Sequence, residues 1–204
     1  MENKVHFANG LLHIIVVLIL GLNIEIAQSQ TEQVLTVEKG GTLEKMLTDN
    51  QWGEVENLTV KGEANKEDLH FIAKIAREKG VLKEINLRKT KLSEVGMKLF
   101  QGSLSLKTIL LPNSITAIGK EAFKGCVNLE KIILPSELTS IGSWAFSGCM
   151  EMKEIEIGKK VSWIGEGAFF HCNKLLKFKV SSKNTEYYNT KNGDLYSSAG
   201  KLIH

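Results

Sequence analysis

Three consecutive stretches of 23 residues read LKTILLPNSITAIGKEAFKGCVN (106–128), LEKIILPSELTSIGSWAFSGCME (129–151) and MKEIEIGKKVSWIGEGAFFHCNK (152–174). When they are aligned, glycine, phenylalanine and cysteine fall in fixed columns: Gly119, Gly142 and Gly165; Phe123, Phe146 and Phe169; Cys126, Cys149 and Cys172. A constant period in the twenties is typical of repeat proteins, in which each repeat forms one coil and neighbouring coils stack. The sequence therefore predicts an elongated solenoid.

Each repeat contains the pattern of a short strand followed by a turn. In the second stretch, Ile132 and Leu134 alternate with side chains that point outward, as in a half-buried strand. Pro135 ends this strand because proline cannot donate to a ladder of hydrogen bonds. A second apolar pair, Leu138 and Ile141, precedes the glycine. One coil cannot bury these side chains alone, so neighbouring coils about 4.8 Å apart are expected to complete a shared core.

The repeats extend beyond these three stretches in both directions. Residues 82–105 form a degenerate repeat that is one residue longer and has Ser103 in the cysteine column, and a last repeat begins at 175–180. We therefore predict repeats over 82–180. The following segment, 181–204, is expected to form a short β-hairpin or an irregular structure.

The residues before the repeats, 30–81, have the pattern of a small α/β cap. The Asn65–Asp68 segment precedes an amphipathic stripe that ends at a glycine, which predicts a helix over 66–79. A shorter helix is expected around Leu43–Leu47. The alternation over 56–61 matches the strands of the repeats and predicts that the parallel sheet begins there. Such a cap has to shield the first exposed edge of the sheet.

The first 29 residues have the pattern of a secretory signal peptide. A weakly basic start is followed by LLHIIVVLILGL at 11–22, and Ala27 and Ser29 place small residues at the cleavage positions. The apolar run is shorter than the ~20 residues that a membrane span needs. We predict cleavage after Ser29 and export, with no transmembrane segment in the mature chain. The alternative is an uncleaved anchor.

The composition is that of an ordinary folded protein. The 204 residues are 43% hydrophobic and 24% charged, and the formal net charge is +3. Because this charge is small and the sequence has no block of consecutive like charges, we predict no nucleic-acid partner and no polybasic membrane contact.

The repeat pattern L-x-x-I-x-L-P…I-G-x-x-A-F-x-G-C resembles the BspA-like leucine-rich repeats of bacterial cell-surface proteins over residues 82–180. The segments around Gly41–Leu43, Tyr187–Tyr188 and Gly193–Tyr196 are similar to the flanks of such repeats. The resemblance implies an α/β-type leucine-rich repeat solenoid, right-handed, with a parallel β-sheet face and a small α/β N-terminal cap. It also implies a protein that is secreted or held on the bacterial cell envelope and that adheres to host or matrix proteins or to other cells.

The cysteines and histidines form no motif for catalysis or metal binding. Stacked coils place Cys126, Cys149 and Cys172 in a line and not at the corners of a tetrahedron, so we interpret them as small buried residues. One disulfide between adjacent coils is the alternative. His70 and His171 have no Ser, Cys or Asp partner at motif spacing, and His171 replaces a turn glycine, which predicts a slightly altered bend. We predict no enzyme activity, no cofactor and no metal site.

The outward positions of the strands are the candidate binding residues, because the regular face of a solenoid usually binds other molecules. On four neighbouring coils they are Thr108 and Leu110, Lys131 and Ile133, Glu154 and Glu156, and Lys177 and Lys179. Leu110 and Ile133 are apolar where water is expected, and they should be adjacent. Ordinary β-propensity and cross-strand charge pairing explain such a set. The alternative is a small apolar spot rimmed by charge, which is typical of a protein-binding anchor.

These observations favour an exported, surface-associated binding module whose partner is a host or matrix protein or another cell. Two alternatives stay open. One is a glycan-binding module for nutrient capture, in which Trp144, Trp163 or Tyr187 would stack on the sugar rings of a polysaccharide. The other is a structural spacer or assembly element of a longer surface protein.

Overall fold

A parallel β-sheet runs along the repeats and into the N-terminal cap. The computed structural model describes residues 31–204. The main part of this first sheet contains β1 (Glu32–Val37), β2 (Asn57–Gly62), β3 (Glu84–Thr90), β5 (Thr108–Leu110) and β7 (Lys131–Ile133). These strands lie side by side in chain order. Two further strands, β9 (Glu154–Ile157) and β11 (Lys177–Val180), pair in parallel with each other.

A second, narrower sheet is formed by the apolar pair that follows each strand of the first. It consists of β4 (Glu94–Val95), β6 (Ala117–Ile118), β8 (Ser140–Ile141) and β10 (Trp163–Ile164), all parallel and in chain order. Register partners are one repeat apart, as Ala117 and Ser140 show. Each coil therefore adds one strand to each sheet, and the predicted leucine-rich repeat solenoid is confirmed.

A file of phenylalanines fills the core between the two sheets. The rings of Phe100, Phe123, Phe146 and Phe169 are buried and nearly parallel, with successive centroids 5.3, 5.4 and 5.7 Å apart. Because each ring covers the face of the next, a phenylalanine column repeated at constant spacing produces one continuous core.

Two glycine columns allow the coils to turn and to stack closely. A Cβ atom on Gly142 would lie 2.5 Å from the carbonyl carbon of Gly119, so this column has no space for a side chain. In the second column, Gly125 and Gly148 have φ angles of +72° and +77°, and His171 adopts +56°. The slightly altered bend predicted at His171 stays a prediction. The turn is kept, in a conformation that costs a non-glycine residue about 1–2 kcal/mol.

The N-terminal cap is built around a helix with a well-satisfied first turn. A 3₁₀ turn at Leu43–Lys45 and a short helix α1 (Asp49–Trp52) precede α2 (Lys66–Glu78), which confirms the helix predicted over 66–79. The Asn65 side chain accepts a hydrogen bond from the backbone N–H of Asp68. The buried Asp68 carboxylate accepts hydrogen bonds from the N–H groups of Gly41 and Leu43, both at 2.8 Å. This carboxylate fixes the 3₁₀ turn against α2.

The sheet begins one strand earlier than predicted. The interpretation of 56–61 as its first strand is wrong, because β1 pairs with β2 over its full length, from Glu32 opposite Asn57 to Val37 opposite Gly62. The edge of the sheet is therefore β1, and α2 connects the second and third strands. The predicted signal peptide, 1–29, lies outside the described residues. Between residues 31 and 204, no helix is long and apolar enough to span a bilayer.

The C-terminal residues cover the last coil. An antiparallel hairpin, β12 (Tyr187–Asn189) and β13 (Leu195–Ser197), follows β11. The Tyr187 hydroxyl accepts a hydrogen bond of 2.8 Å from the N–H of Ile164, on the last strand of the second sheet. The Asn189 side-chain oxygen accepts one of 3.2 Å from Val180 on the last strand of the first sheet. The hairpin thus occupies donors that the end of the solenoid would otherwise expose.

Candidate binding surface

Strand alternation in the last four coils turns one row of side chains inward and one outward. Ile109, Ile132, Ile155 and Phe178 are buried, whereas the residues on either side of them are half-buried or exposed. Thr108 and Leu110 are half-buried, and Ile133 exposes 41% of its surface. The five charged candidates are all exposed: Lys131, Glu154, Glu156, Lys177 and Lys179.

The eight predicted residues fall into two pairs of strands. Thr108 lies opposite Lys131 and Leu110 opposite Ile133 on β5 and β7. On β9 and β11, Lys177 lies opposite Glu154 and Lys179 opposite Glu156.

One close ion pair forms across β9 and β11, and it runs diagonally. The Lys179 ammonium donates to the Glu154 carboxylate, with Nζ 2.8 Å from Oε1. This hydrogen bond, with the charges of Lys179 and Lys177, holds the pKa of the Glu154 carboxyl below its ordinary value. Both side chains are exposed, so the pair contributes little to folding. It leaves Lys177 and Glu156 without a close ion-pair partner between residues 31 and 204.

The hydrogen-bond ladder of the first sheet is interrupted in this region. Backbone hydrogen bonds join β5 to β7 and β9 to β11, but in the part of the chain that the structure describes none joins β7 to β9. The second sheet continues without interruption through the same coils, from β6 to β8 to β10. The coils therefore stay stacked through the second sheet, although β7 and β9 of the first sheet are not joined by backbone hydrogen bonds.

A groove lies over the junction and contains six of the eight predicted residues. It is an open depression of about 1060 Å³ on the face of β7, β9 and β11. We call it the sheet groove. The predicted residues that line it are Lys131, Ile133, Glu154, Glu156, Lys177 and Lys179. Thr108 and Leu110 do not line it and lie on the adjoining strand.

Sequence reasoning missed two lysines and an apolar wall of the sheet groove. Lys153 precedes β9 and Lys159 follows it, and Leu134 and Pro135 follow β7. Strand alternation gives an orientation only inside a strand, so Lys153 and Lys159 had none, and it placed Leu134 among the inward side chains, where it packs against the core. The two lysines could have been found by asking which charges flank each strand.

The charges of the sheet groove are only partly paired. Five lysines and three glutamates line it. Four of those lysines form no close ion pair with any residue from 31 to 204: Lys131, Lys153, Lys159 and Lys177. The pKa of Glu154 is lowered by Lys179 and, at longer range, by the Lys177 charge. The pKa of Glu137 is lowered by Lys160 and, at longer range, by the Lys159 charge. On the same coils, Lys160 pairs with Glu137 and Lys174 with Glu151, each across one repeat.

The three aromatic residues proposed for sugar binding lie in different environments. Tyr187 is buried, with 9% of its surface exposed, so its selection as a sugar-stacking residue is wrong. Trp144 is half-buried under the edge of the Phe170 ring, 5.4 Å away between centroids. Trp163 is 51% exposed, as expected for at least one of the two tryptophans, and lies on the second sheet, outside the sheet groove.

The cysteines are buried thiols without disulfide partners, which confirms the interpretation as small core residues. Cys126 donates to the Phe100 carbonyl oxygen at 3.0 Å, and Cys149 donates to that of Phe123 at 3.3 Å. Burial raises the pKa of Cys126 to about 12 and that of Cys172 to about 11, and it also raises the pKa of Cys149. These thiols therefore carry little of the thiolate that reacts or binds metals.

The histidines and acidic residues do not assemble a metal site in the described chain. Between residues 31 and 204, no group of three or more His, Cys, Asp or Glu side chains is arranged to hold an ion. His70 is exposed on α2, where its Nδ1 hydrogen-bonds the Lys66 carbonyl oxygen at 2.7 Å. His171 is exposed at its turn.

Comparison with known proteins extends the repeat region and relates it to bacterial proteins. A family model described as a BspA type leucine rich repeat region matches residues 76–191 in six copies, beyond the predicted 82–180 on both sides. A search of curated proteins finds no match.

Three solved structures are among those similar to this chain. A leucine-rich repeat protein from Bacteroides ovatus is 37% identical over 52% of this chain and 26% of its own, with a TM-score of 0.46. One from Eubacterium ventriosum is 16% identical over 85% and 46%, with a TM-score of 0.49. A leucine rich cell surface protein from Faecalibacterium prausnitzii is 17% identical over 89% and 59%, with a TM-score of 0.46. The chain thus spans less than two thirds of each of these proteins.

Proposed function

This chain is a member of the BspA-type leucine-rich repeat family, and we propose that it is an exported, surface-associated module that binds proteins through the outward face of its first sheet. The partner is a host or matrix protein or a protein of another cell. The pattern of residues 1–29 supports export, and the family resemblance supports a place on the bacterial cell envelope.

The observation that carries this proposal is the sheet groove. Its six predicted residues come from three consecutive coils, so a ligand that fills it contacts the solenoid across several repeats. Ile133 is exposed within it beside charged side chains, an arrangement that supports an apolar anchor with a polar rim. Because the strands are held by the stacked core, the face is preformed and loses little conformational entropy on binding.

Binding of the purified full-length chain to a panel of matrix proteins and polysaccharides tests the proposal. The key variant is Leu110→Glu/Ile133→Glu, which places two charges on adjacent positions of the first sheet. Ala117→Glu/Ser140→Glu is the matched control, because these residues are half-buried register partners on the second sheet. Circular dichroism verifies that both variants fold.

The proposal predicts that the chain binds a panel protein, that the first variant loses this binding and that the control keeps it. If no panel protein binds, or if both variants bind equally well, the sheet face is ordinary strand surface. A structural spacer would then be the better account.

Glycan binding is the second candidate function, and half-exposed Trp163 favours it. An exposed indole can stack on a sugar ring. Because Trp163 lies outside the sheet groove, separate variants can distinguish glycan binding from protein binding. Polysaccharide binding with quenching of tryptophan fluorescence, lost in Trp163→Ala and kept in Leu110→Glu/Ile133→Glu, would replace the protein-binding proposal.

A further inference from the structure

We infer that the sheet groove binds an extended acidic segment of a protein partner, in which carboxylate side chains flank an apolar one. This inference rests on the proposed function and names the chemistry of the partner. It follows from three features of the groove: its unpaired lysines, the position of Ile133 and the presence of Glu156.

The unpaired lysines make acidic side chains the complementary ligand. Lys131, Lys153 and Lys177 lie at the beginning of the strands, and Lys159 lies beyond the end of β9. Cations are therefore present at both ends of the groove along the strand direction. Elsewhere on these coils the chain neutralises its own lysines, as in the pair of Lys174 with Glu151. Carboxylates at the two ends of a bound segment would satisfy the lysines that remain.

The middle of the sheet groove favours a peptide over a uniform polyanion. Ile133 is exposed there, and half-buried Leu134 and buried Pro135 follow it along the apolar wall. Glu156 adds a negative charge on the neighbouring coil, two residues beyond the ion-paired Glu154. A sulfated polysaccharide would bring its charges against both the apolar wall and these carboxylates, which is unfavourable. A peptide places an apolar side chain at Ile133 and a backbone N–H near Glu156.

The spacing of these groups fits an extended ligand. The groove spans β7, β9 and β11, and each strand residue advances about 3.3 Å. Lys153, before β9, and Lys159, after it, are thus separated by several residues of extended chain. Ile133 and Glu156 lie between these two lysines. A segment with acidic residues at both ends and a leucine, isoleucine or valine between them matches this order.

The test is fluorescence anisotropy with the full-length chain and a labelled synthetic peptide that has a central leucine flanked on both sides by glutamates. Two control peptides replace the glutamates by glutamine or the leucine by serine. Heparin serves as the sulfated polysaccharide. Lys131→Glu/Lys177→Glu reverses the groove charge, and Lys74→Glu/Lys191→Glu makes the same change in net charge at two exposed positions outside the groove.

The acidic leucine peptide should bind the wild-type chain more tightly than either control peptide. Charge reversal in the groove should weaken its binding by about tenfold or more, and the distant control should leave it within about twofold. Binding should also weaken as salt rises from about 0.05 to about 0.5 M. Ile133→Ser should remove the preference for leucine over serine and leave the preference for glutamate.

Four results would overturn the inference. The glutamine peptide could bind as tightly as the glutamate peptide, or both charge-reversal variants could weaken binding equally. Heparin could bind in a groove-dependent manner while the leucine and serine peptides bind alike, which would assign the site to polyanionic sugars. A panel protein that binds through Leu110 and Ile133, together with failure of every acidic peptide, would leave the proposed function intact and reject this partner chemistry.

Discussion

The interior columns and the outward strand positions of the same coils follow opposite rules. Inside, glycine, phenylalanine and cysteine recur at every repeat from 106 to 174. On the outer face, the same coils carry Thr108 with Leu110, then Lys131 with Ile133, and then Glu154 with Glu156. Stacking explains the regularity, because an interior side chain must match its neighbours one coil away. The outer positions have no such constraint and can differ from coil to coil.

This contrast separates the residues that make the solenoid from those that give its face a specific chemistry. Phe146 lies between two parallel rings and is fully buried. Ile133, whose neighbour Ile132 is buried, is exposed and lines the sheet groove. The contrast predicts large losses of stability at the columns, small ones on the face and effects on binding only at the face.

Removal of one ring from the phenylalanine file should have the largest effect. Phe146→Ala leaves a cavity between Phe123 and Phe169, and the free energy of unfolding should fall by about 3–5 kcal/mol. Lys131→Ala on the outer face should change it by less than about 0.5 kcal/mol. Urea unfolding followed by circular dichroism measures both. Equal losses for the two variants would remove the distinction between column and face.

The first glycine column allows a sharper comparison, because Gly142 and Gly96 occupy equivalent positions in different repeats. Gly142→Ala places a Cβ 2.5 Å from the backbone of Gly119, so the coils must separate, at a cost of about 2–3 kcal/mol. Gly96 occupies the same column in the first repeat, and a Cβ there would meet no atom within 4 Å. Gly96→Ala should therefore leave stability unchanged or raise it by up to about 1 kcal/mol. Thermal unfolding of both variants measures the difference, and a similar loss in each would contradict close stacking as the cause.

Substitutions in the left-handed turn column should change stability by less, and in opposite directions at Gly148 and His171. Gly148→Ala forces an alanine into a φ of +77°, which should cost about 1–2 kcal/mol. His171 already occupies this conformation at +56°, so His171→Gly should raise stability by up to about 1 kcal/mol. Chemical denaturation of the two variants tests this. A loss of stability in His171→Gly would mean that its side-chain contacts outweigh the backbone strain.

The ion pair on the face should affect a pKa and leave stability nearly unchanged. Lys179 and Lys177 hold the pKa of Glu154 below its ordinary value, so Lys179→Ala should raise it toward that value. Because the folded-state pKa is lowered, the stabilisation is present above the ordinary pKa and is lost as pH falls through the lowered one. Carbon-detected NMR titration of Glu154 measures the change, with Lys191→Ala as the control. An unchanged Glu154 pKa in Lys179→Ala would show that the pair does not form in solution.

The sequence predicts those features of the fold that each coil specifies within itself. The phenylalanine and cysteine columns and helix α2 follow from periodicity and capping residues, and the structure agrees with them. The strand β1 was missed because Glu32–Val37 lies before the repeats, although Gln33, Leu35 and Val37 alternate inward as in a strand. Its pairing with β2 is a tertiary contact, and the repeat pattern does not extend to β1 and so could not predict it.

The candidate surface is predicted less completely because its shape depends on contacts between coils. Alternation indicates which side chains face outward, but it does not reveal that the ladder is interrupted between β7 and β9. Tyr187 is an aromatic residue of the kind that stacks on sugars, yet the C-terminal hairpin buries it, and its hydroxyl hydrogen-bonds the N–H of Ile164. Lys153 and Lys159 face the sheet groove from beyond the strand ends, where alternation gives no orientation.

Hydrogen–deuterium exchange of the full-length chain, alone and bound to a matrix protein from the binding panel, tests the central claim most directly. The outward face of the first sheet is predicted to be the binding surface. Partner-induced protection should therefore be confined to β5, β7, β9, β11 and the residues just beyond them, with the second sheet unchanged. Protection of Ala117–Ile118 and Ser140–Ile141 on the second sheet, with none at Lys131–Ile133 or Glu154–Ile157, would contradict the account.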